Sequence, residues 1–162
     1  MKPWIPLVAL TLALTPLALV HPVRISGRSM MPALRDGALC LALRAWCAGP
    51  PARGQVWLVE GPDGPAVKRI VGLPHERLEQ RQGELWLAGH LLEESYVEHP
   101  ERGSGGPWEA GGGYLVMGDN RPESHDGRAW GPLPRSALRA RILCGQGAGL
   151  SATSAPPSGR GR

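Results

Sequence analysis

Two side chains in this sequence could work together as a nucleophile and its base. Ser29 lies in the segment SGRSMMPAL, and Lys68 lies in VKRIVGLPHE. A serine hydroxyl is a poor nucleophile until a base removes its proton, and a lysine amine with an ordinary pKa of about 10.4 is protonated at neutral pH. Burial among apolar groups lowers that pKa and turns lysine into a general base. Residues 66–71 alternate as a strand with aliphatic side chains on both faces, which would give Lys68 apolar neighbours.

A third segment, GYLVMGDNRPESHDGRAWGPL at residues 113–133, adds polar groups that could orient an amine. Ser124, Asp126 and Arg128 alternate along it, so an extended chain would present all three toward one side. Such a cluster could hydrogen-bond a lysine amine and hold neighbouring charges in place. Taken singly, these features also fit a plain structural interpretation: a solvated turn serine, a surface lysine and an exposed Asp–Arg pair, which contributes little to stability.

The elements that would position these residues are short strands. Apolar residues alternate in brief runs, which is the period of strands, and no long helical period follows residue 24. Turn sequences at 61–64 and 82–83 separate neighbouring runs. We therefore expect a mostly β domain, with a flexible, glycine-rich surface loop at 101–113. The predicted strands cover residues 38–43, 55–60, 65–71, 77–80, 84–88 and 114–117.

The two ends of the chain differ in composition from this central region. Residues 3–23 carry no formal charge, and these 21 residues would reach about 30 Å as a helix, the thickness of a bilayer's hydrocarbon core. A cleaved secretory signal is the alternative, but no Ala-x-Ala site occurs in the segment. We predict a transmembrane anchor at 1–23, a folded β domain at 24–144 and a disordered, low-complexity tail at 145–162.

Composition narrows the classes of partner. The net charge is +4 with both signs spread along the chain, and no basic run with interleaved aromatic residues indicates nucleic-acid binding. A mild basic excess favours contact with anionic membrane lipid instead. Cys40, Cys47 and Cys144 lack the spacing of a metal site, and an odd number cannot all pair within one chain. We interpret them as small apolar residues, with a Cys40–Cys47 bridge as the main alternative.

Three segments, in this order, resemble the signature motifs of the type I signal peptidases, membrane-anchored Ser–Lys enzymes that remove signal peptides from exported proteins. SGRSMMPAL resembles the motif around their nucleophilic serine, VKRIVGLPHE the motif around their general-base lysine, and GDNRPESHDGRAWG their last and most characteristic motif. Two weaker segments, RGQVWLV and GELWLAGHLLEESYVEH, are similar to the strand before the lysine and to a hairpin ending in Glu-x-Tyr. The resemblance covers residues 24–143.

The resemblance implies a signal-peptidase-like catalytic domain, a β-barrel or coiled β-sheet behind one N-terminal transmembrane helix. Ser29 would be the nucleophile, Lys68 the general base and Ser124 the hydroxyl that orients the lysine amine. Met30 would contact substrate. Two supporting ion pairs follow by position, namely Asp126 with Arg128 and Asp119 with Arg69. Neither a metal nor a cofactor is required.

The implied activity is removal of signal peptides from exported preproteins, after small residues, by a monomeric enzyme. It would be a single-pass protein of the plasma membrane with its catalytic domain on the extracytoplasmic side. Lys2 before the apolar segment agrees with that orientation, whereas Arg24 and Arg28 after it favour the opposite one, so charge alone does not decide. Gly27 occupies a position where some members carry a serine that helps bind the oxyanion. Other departures from the family pattern stand at Ala33, His75-Glu76, Pro122-Glu123 and Gly127.

Two other functions remain open from the sequence. Another membrane-anchored Ser–Lys processing peptidase, such as one acting on conjugation pili, would share the serine and the lysine; a self-cleaving repressor is disfavoured by the anchor and the GDNR sequence. An inactive membrane-tethered module that binds peptides or lipids would need none of Ser29, Lys68 and Ser124. Cleavage of a preprotein and labelling by a serine-acylating inhibitor separate these alternatives.

Overall fold

The structure, a computed structural model, describes residues 19–144, and most of its regular elements are strands. Three helical turns lie between the last two strands: a first 3-10 turn (Arg121–Glu123), α1 (Gly127–Trp130) and a second 3-10 turn (Arg135–Ala137). The predicted mostly β class is confirmed. The strands, in chain order, are β1 (Val20–Arg24), β2 (Leu39–Arg44), β3 (Val56–Gly61), β4 (Gly64–Gly72), β5 (Arg77–Arg81), β6 (Glu84–Leu87), β7 (His90–Leu91), β8 (Gly105–Glu109), β9 (Leu115–Met117) and β10 (Leu138–Ile142).

The strands form two antiparallel sheets. A six-stranded sheet has the order β1-β2-β10-β3-β4-β9, and a four-stranded sheet has the order β7-β6-β5-β8. The predicted turn at 61–64 joins β3 to β4, with Gly61 opposite Gly64. All six predicted strands are present, and each of their ends lies within one residue of the expected position.

Strand β4 is central because both of its faces are covered. Val56 of β3 points into a first core cluster that also contains Met30, while its neighbour Trp57 points into a second cluster on the opposite face of the sheet. A third cluster joins the two sheets, from β4 and β9 to β5 and β6. A side chain in the middle of β4 is therefore buried on either face: Lys68 and Arg69 are 3% and 1% exposed.

The predicted transmembrane helix at 1–23 is wrong for its last four residues. These residues belong to β1, which pairs along β2 from Val20 opposite Leu43 to Arg24 opposite Leu39. A short apolar run can be strand or helix, and here pairing with β2 decides. Within residues 19–144 no helix is both long and apolar enough to cross a membrane. The rest of the predicted anchor, and the predicted tail at 145–162, lie outside the described residues.

The predicted flexible loop at 101–113 is wrong in its middle part. Residues 105–109 form β8, which pairs with β5 and places Trp108 opposite Leu78. Gly106 adopts φ +86°, a backbone conformation that favours glycine. Trp108 packs against the third core cluster, and its Nε1 donates to the carbonyl oxygen of Arg128 at 3.3 Å. A half-buried tryptophan therefore packs a segment against the core whose glycine content suggested flexibility.

Two cysteines form a disulfide between β2 and the end of β10. The alternative of a Cys40–Cys47 bridge is therefore wrong, and the interpretation as unpaired apolar residues is wrong for Cys40 and Cys144. Cys40 is bonded to Cys144, with 5.9 Å between their Cα atoms, and Cys47 is free. The cause is the pairing of β10 with β2: Ile142 lies opposite Ala42, and the same register brings residue 144 opposite residue 40. This pairing joins positions 104 residues apart, which local sequence patterns do not reveal.

We expect the double substitution Cys40→Ala, Cys144→Ala to lower the free energy of unfolding by about 2–4 kcal/mol, because the crosslink restricts the unfolded chain. Urea denaturation of the purified full chain in detergent measures this change. Reducing agent should lower the stability of the wild type and leave the double variant unchanged, and Cys47→Ala is the matched control. A double variant as stable as the oxidised wild type would contradict the crosslink's contribution.

Candidate active site

Lys68 lies in the middle of β4, opposite Trp57 of β3, with almost no exposed surface. Its Nζ donates to Ser124 Oγ at 3.1 Å, and the Trp130 ring centroid lies 6.0 Å from Nζ. Burial lowers the pKa of the Lys68 amine below its ordinary value, although the nearby Asp126 carboxylate acts in the opposite direction. The sequence contains only two lysines, Lys2 and Lys68, so the domain uses arginine for every other permanent cation. Unlike the arginines, Lys68 can therefore lose its proton and become neutral.

Ser124 and Asp126 fix the direction of the hydrogen bonds around this amine. Ser124 Oγ donates its proton to Asp126 Oδ2 at 2.7 Å. The serine oxygen must therefore accept an N–H from Lys68, whether the amine is charged or neutral. A neutral amine held in this way keeps its lone pair free to accept a proton from another group. The Ser124 hydroxyl thus orients the Lys68 amine without occupying the lone pair that a base needs.

Asp126 is ionised and held by several donors. It receives Arg128 Nε at 2.9 Å and the Gly118 N–H at 2.9 Å. Burial alone would raise the pKa of Asp126, but the hydrogen bonds from Arg128 and Gly118 hold it below its usual range. The Asp126 side chain also accepts the Arg128 N–H at the start of α1, a helix-capping contact. Ser124 and Asp126 have the extended backbone on which the sequence argument depended, whereas α1 begins at Gly127 and includes Arg128. The three polar side chains cluster, as expected.

The Ser29 segment is tied to the turn that follows β9. The Ser29 carbonyl oxygen accepts the Asn120 N–H at 3.0 Å, and Asn120 Nδ2 donates to the Arg28 carbonyl oxygen at 3.2 Å. A Cβ at Gly118 would stand 2.5 Å from the Ser29 carbonyl oxygen and 2.2 Å from Ser124 Oγ. The absence of a side chain at Gly118 thus lets the Ser29 backbone and the Ser124 hydroxyl both approach this turn closely. Ser29 itself is half-buried.

Two further residues of the serine motif have structural positions that sequence alone did not indicate. Met30, expected to contact substrate, is 1% exposed and packs in the first core cluster. Gly27 adopts φ +87°, and its N–H donates to Asp36 Oδ1 at 2.9 Å. A serine at residue 27 would be strained in this conformation, so the glycine is explained by its backbone.

Arg69 and Asp119 form the second expected pair, on the opposite face of β4 from Lys68. Arg69 donates through Nε and Nη2 to the two carboxylate oxygens of Asp119, at 2.8 and 2.6 Å, and both side chains are buried. Nη1 donates to the Gly54 carbonyl oxygen at 2.7 Å, and the guanidinium lies 4.1 Å from the centre of the Tyr96 ring. This bidentate pair joins β4 to the turn that carries Asn120 and so positions both halves of the site.

Three residues without a sequence-based role extend this support. Arg121 donates to Glu94 Oε1 at 2.6 Å and to the Gly118 carbonyl oxygen at 3.1 Å, and Tyr96 also donates to Glu94 at 2.6 Å. Burial and the Glu94 carboxylate raise the pKa of Tyr96, so its hydroxyl stays protonated. The sequence pointed to these residues only through the motifs that contain them: Arg121 lies in the GDNR segment, and Glu94 and Tyr96 form the Glu-x-Tyr segment.

The known proteins to which this chain is similar in sequence include several signal peptidases. "Probable signal peptidase I-2" of Synechocystis is 38% identical over 78 residues, covering 48% of this chain and 36% of that protein. "Signal peptidase I" of Leptolyngbya laminosa is 30% identical over 131 residues, covering 74% and 64%. "Signal peptidase IB" of Staphylococcus aureus is 26% identical over 145 residues, covering 76% of each. The chain thus spans about a third and just under two thirds of the length of the first two relatives.

A crystal structure of a signal peptidase I from Enterococcus faecalis is similar at a TM-score of 0.48 and 26% identity, covering 57% of this chain and 96% of that one. The family description "Signal peptidase, peptidase S26" matches residues 1–144, which include all ten strands and every residue of the candidate site. The chain therefore belongs to the signal peptidase family of S26 serine peptidases.

Proposed function

We propose that this protein is a membrane-anchored signal peptidase I that cleaves signal peptides from exported preproteins with Ser29 as nucleophile and Lys68 as general base. One observation carries the proposal: the buried Lys68 amine is bound to Ser124, whose own proton is committed to Asp126. An amine with a lowered pKa and a free lone pair beside the Ser29 segment is equipped for proton transfer. Family membership and the names of the relatives agree with this chemistry.

The proposed reaction is acyl transfer in two steps. Neutral Lys68 takes the proton of Ser29 Oγ while that oxygen attacks the scissile carbonyl carbon. The resulting Lys68 ammonium then protonates the leaving amine as the peptide bond breaks, which leaves an ester on Ser29 and a neutral lysine. Water, deprotonated by the same amine, hydrolyses the ester, and the proton returns to Ser29. Each step moves one proton between Lys68 and a reacting oxygen or nitrogen.

The substrate is proposed to bind as an extended strand beside Ser29, with small side chains near the cleaved bond. Met30 is not assigned a contact with this strand, since its side chain lies in the first core cluster. The enzyme is proposed to act as a monomer, since the proposed mechanism calls on groups of one chain alone.

The protein is proposed to sit in the plasma membrane as a single-pass protein with residues 19–144 on the extracytoplasmic side. The uncharged segment before β1 supports the anchor. The Cys40–Cys144 disulfide supports an oxidising compartment, because such bonds are rare in the cytosol. An anchor that ends beside β1 would also keep Ser29 near the bilayer surface, where an inserted signal peptide presents its cleavage site.

The proposal is tested with the purified full chain in lipid vesicles and an exported preprotein carrying its signal peptide. We expect a product whose new N-terminus, read by mass spectrometry, directly follows a small residue. A preprotein that stays intact, while the protein is folded and inserted, would contradict the proposed activity.

Removing the hydroxyl that orients Lys68 should slow cleavage without abolishing it. We expect Ser124→Ala to lower kcat about 10- to 100-fold and leave KM nearly unchanged, because the variant loses positioning of the base rather than substrate contacts. Ser124→Thr, which keeps a hydroxyl, should recover part of the rate, and the exposed Ser136→Ala is the matched control. Wild-type kcat in Ser124→Ala would contradict the assigned role.

A further inference from the structure

Trp130, the last residue of α1, lies near the Lys68 amine, and no step of the proposed reaction uses it. Lys68 shares one face of β4 with Ala66 and Ile70, because side chains alternate along a strand. Ile70 belongs to the second core cluster, and both Ala66 and Trp130 pack against that cluster. The indole ring, whose centroid is 6.0 Å from Lys68 Nζ, is therefore part of the apolar surroundings of the amine.

The hairpin of β3 and β4 has small residues where it meets this ring. A Cβ at Gly61 would stand 3.0 and 3.1 Å from Cη2 and Cζ3 of Trp130, so a side chain at residue 61 would crowd the ring. Ala66 lies opposite Val59 of β3, and both contribute to the second core cluster. At this end of the hairpin the strands offer only small side chains, and α1 supplies the large one.

His125 contacts the same ring. The two ring centroids are 5.6 Å apart, and the planes meet at 73° in an edge-to-face arrangement. His125 Nε2 also lies 3.3 Å from Asp63 Oδ2, in the turn between β3 and β4. Both members of that pair are exposed, so it contributes little to stability. It nevertheless links the segment that follows Ser124 to the hairpin that carries Lys68.

The indole N–H does not explain why a tryptophan stands at this position. Among residues 19–144, the buried Nε1 of Trp130 has no hydrogen-bond partner. A buried donor without an acceptor is unfavourable. The position therefore uses the apolar surface of the ring, and a phenylalanine would keep part of that surface without the unpaired donor.

An aromatic ring can act on a lysine amine in two opposite directions. Attraction between an ammonium and the ring face favours the charged form, but 6.0 Å is at the limit of that interaction. Exclusion of water favours the neutral form. Among the charged groups around the amine, Asp126 and Asp119 act to raise the pKa of Lys68, and Arg128 acts to lower it. Burial lowers this pKa more than any of them changes it, so exclusion of water decides the direction.

We propose that Trp130 is a positioning residue of the peptidase, whose ring excludes water from the Lys68 amine and so keeps that amine able to accept the Ser29 proton. The effect on cleavage rests on the proposed function, whereas the effect on Lys68 requires no substrate. Without the ring, water would reach the amine, and Lys68 would hold its proton up to a higher pH.

The test is an NMR titration of the full chain in detergent with ¹³Cε-labelled lysine. We expect Trp130→Ala to raise the pKa of Lys68 by about one unit or more, toward that of an ordinary lysine, and Trp130→Phe to raise it by less than half as much. Each unit leaves about tenfold less neutral amine at neutral pH, so preprotein cleavage should fall in proportion and recover as pH rises. Trp46→Ala, which removes a tryptophan that is 71% exposed, is the matched control and should change neither.

Thermal unfolding verifies that each variant is folded. If Trp130→Ala does not fold, Trp130→Gln replaces it, because a polar side chain attracts water while filling more of the space, and the same upward change is expected. An unmoved Lys68 pKa in the folded variant would overturn the proposal. A downward change would mean that attraction between ring and ammonium dominates, and an equal change in Trp130→Phe would mean that the ring surface is not what matters.

The role of Trp130 and the peptidase function can fail separately. Ser29→Ala should lose cleavage, and adding Trp130→Ala to it should still raise the Lys68 pKa. A wild type that leaves the preprotein intact would contradict the peptidase function, and the titration would still report whether the ring controls Lys68.

Discussion

Lys68→Met should lower preprotein cleavage at least about 10³-fold and at the same time make the domain more stable. Activity is lost because methionine cannot accept the Ser29 proton, and removal of a general base that acts together with its nucleophile costs this much or more. Stability increases because the wild-type structure disfavours a charged amine at this buried position. A site that is costly for the fold and required for the reaction is expected of a catalytic lysine.

The stability gain has a defined pH dependence. The folded protein holds the pKa of Lys68 below its ordinary value, so between the two pKa values the unfolded chain binds one proton more. Wild-type stability therefore rises with pH across this window, and below it the full cost of burying the ammonium remains. The advantage of Lys68→Met should be largest at low pH and shrink as pH rises through the Lys68 pKa, as measured by denaturation at several pH values.

Lys68→Arg is the matched variant, since it keeps a cation that cannot lose its proton. It should be as inactive as Lys68→Met but without the gain in stability. Either variant retaining a tenth of wild-type kcat/KM would show that Lys68 is not the base.

Ser29→Ala should reduce cleavage to background while the protein folds and inserts normally. The contacts that hold this segment use the backbone: the Ser29 carbonyl oxygen accepts the Asn120 N–H, and alanine keeps that bond. A serine-acylating inhibitor should add its mass to Ser29 in the wild type and to no residue in Ser29→Ala. Acylation should also be slow in Lys68→Met, because the hydroxyl then lacks its base.

Ser26→Ala is the matched control for this experiment, because Ser26 is an exposed serine three positions before Ser29. It should cleave the preprotein and take up the inhibitor as the wild type does. Cleavage by Ser29→Ala, or an adduct on another serine, would refute the nucleophile assignment.

The fold was predictable where the determinants are local. Strand β4 could be identified because residues 65–71 alternate and the turn at 61–64 follows the end of β3. Strands β1 and β10 could not be identified, because each is defined by its pairing with β2. For β10 this partner lies far away in the sequence. The disulfide was missed for the same reason. Strand β8 was not predicted, because its glycines are typical of a loop. Trp108 packs this strand against the third core cluster, a contact that the local sequence does not indicate.

The residues of the candidate site also differ in whether the sequence alone could predict them. Ser29, Lys68 and Ser124 were identifiable because each lies in a segment resembling a family motif. Alternation along β4 also placed Lys68 and Arg69 on opposite faces, as observed. The roles of Glu94 and Tyr96 depend on contacts with Arg121 and Arg69 across the fold, which no local pattern encodes. The burial of Met30 likewise depends on strands that come later in the chain.

Whether Lys68 can act as a neutral base is measured by its pKa in the folded protein. With only two lysines in the chain, ¹³Cε-lysine labelling gives two signals, and Lys2→Arg assigns them. In an NMR titration of the full chain in detergent, we expect Lys68 to lose its proton at a lower pH than Lys2 and than an ordinary lysine. Titration of Lys68 together with Lys2, at the ordinary lysine value, would contradict the proposal that a neutral Lys68 activates Ser29.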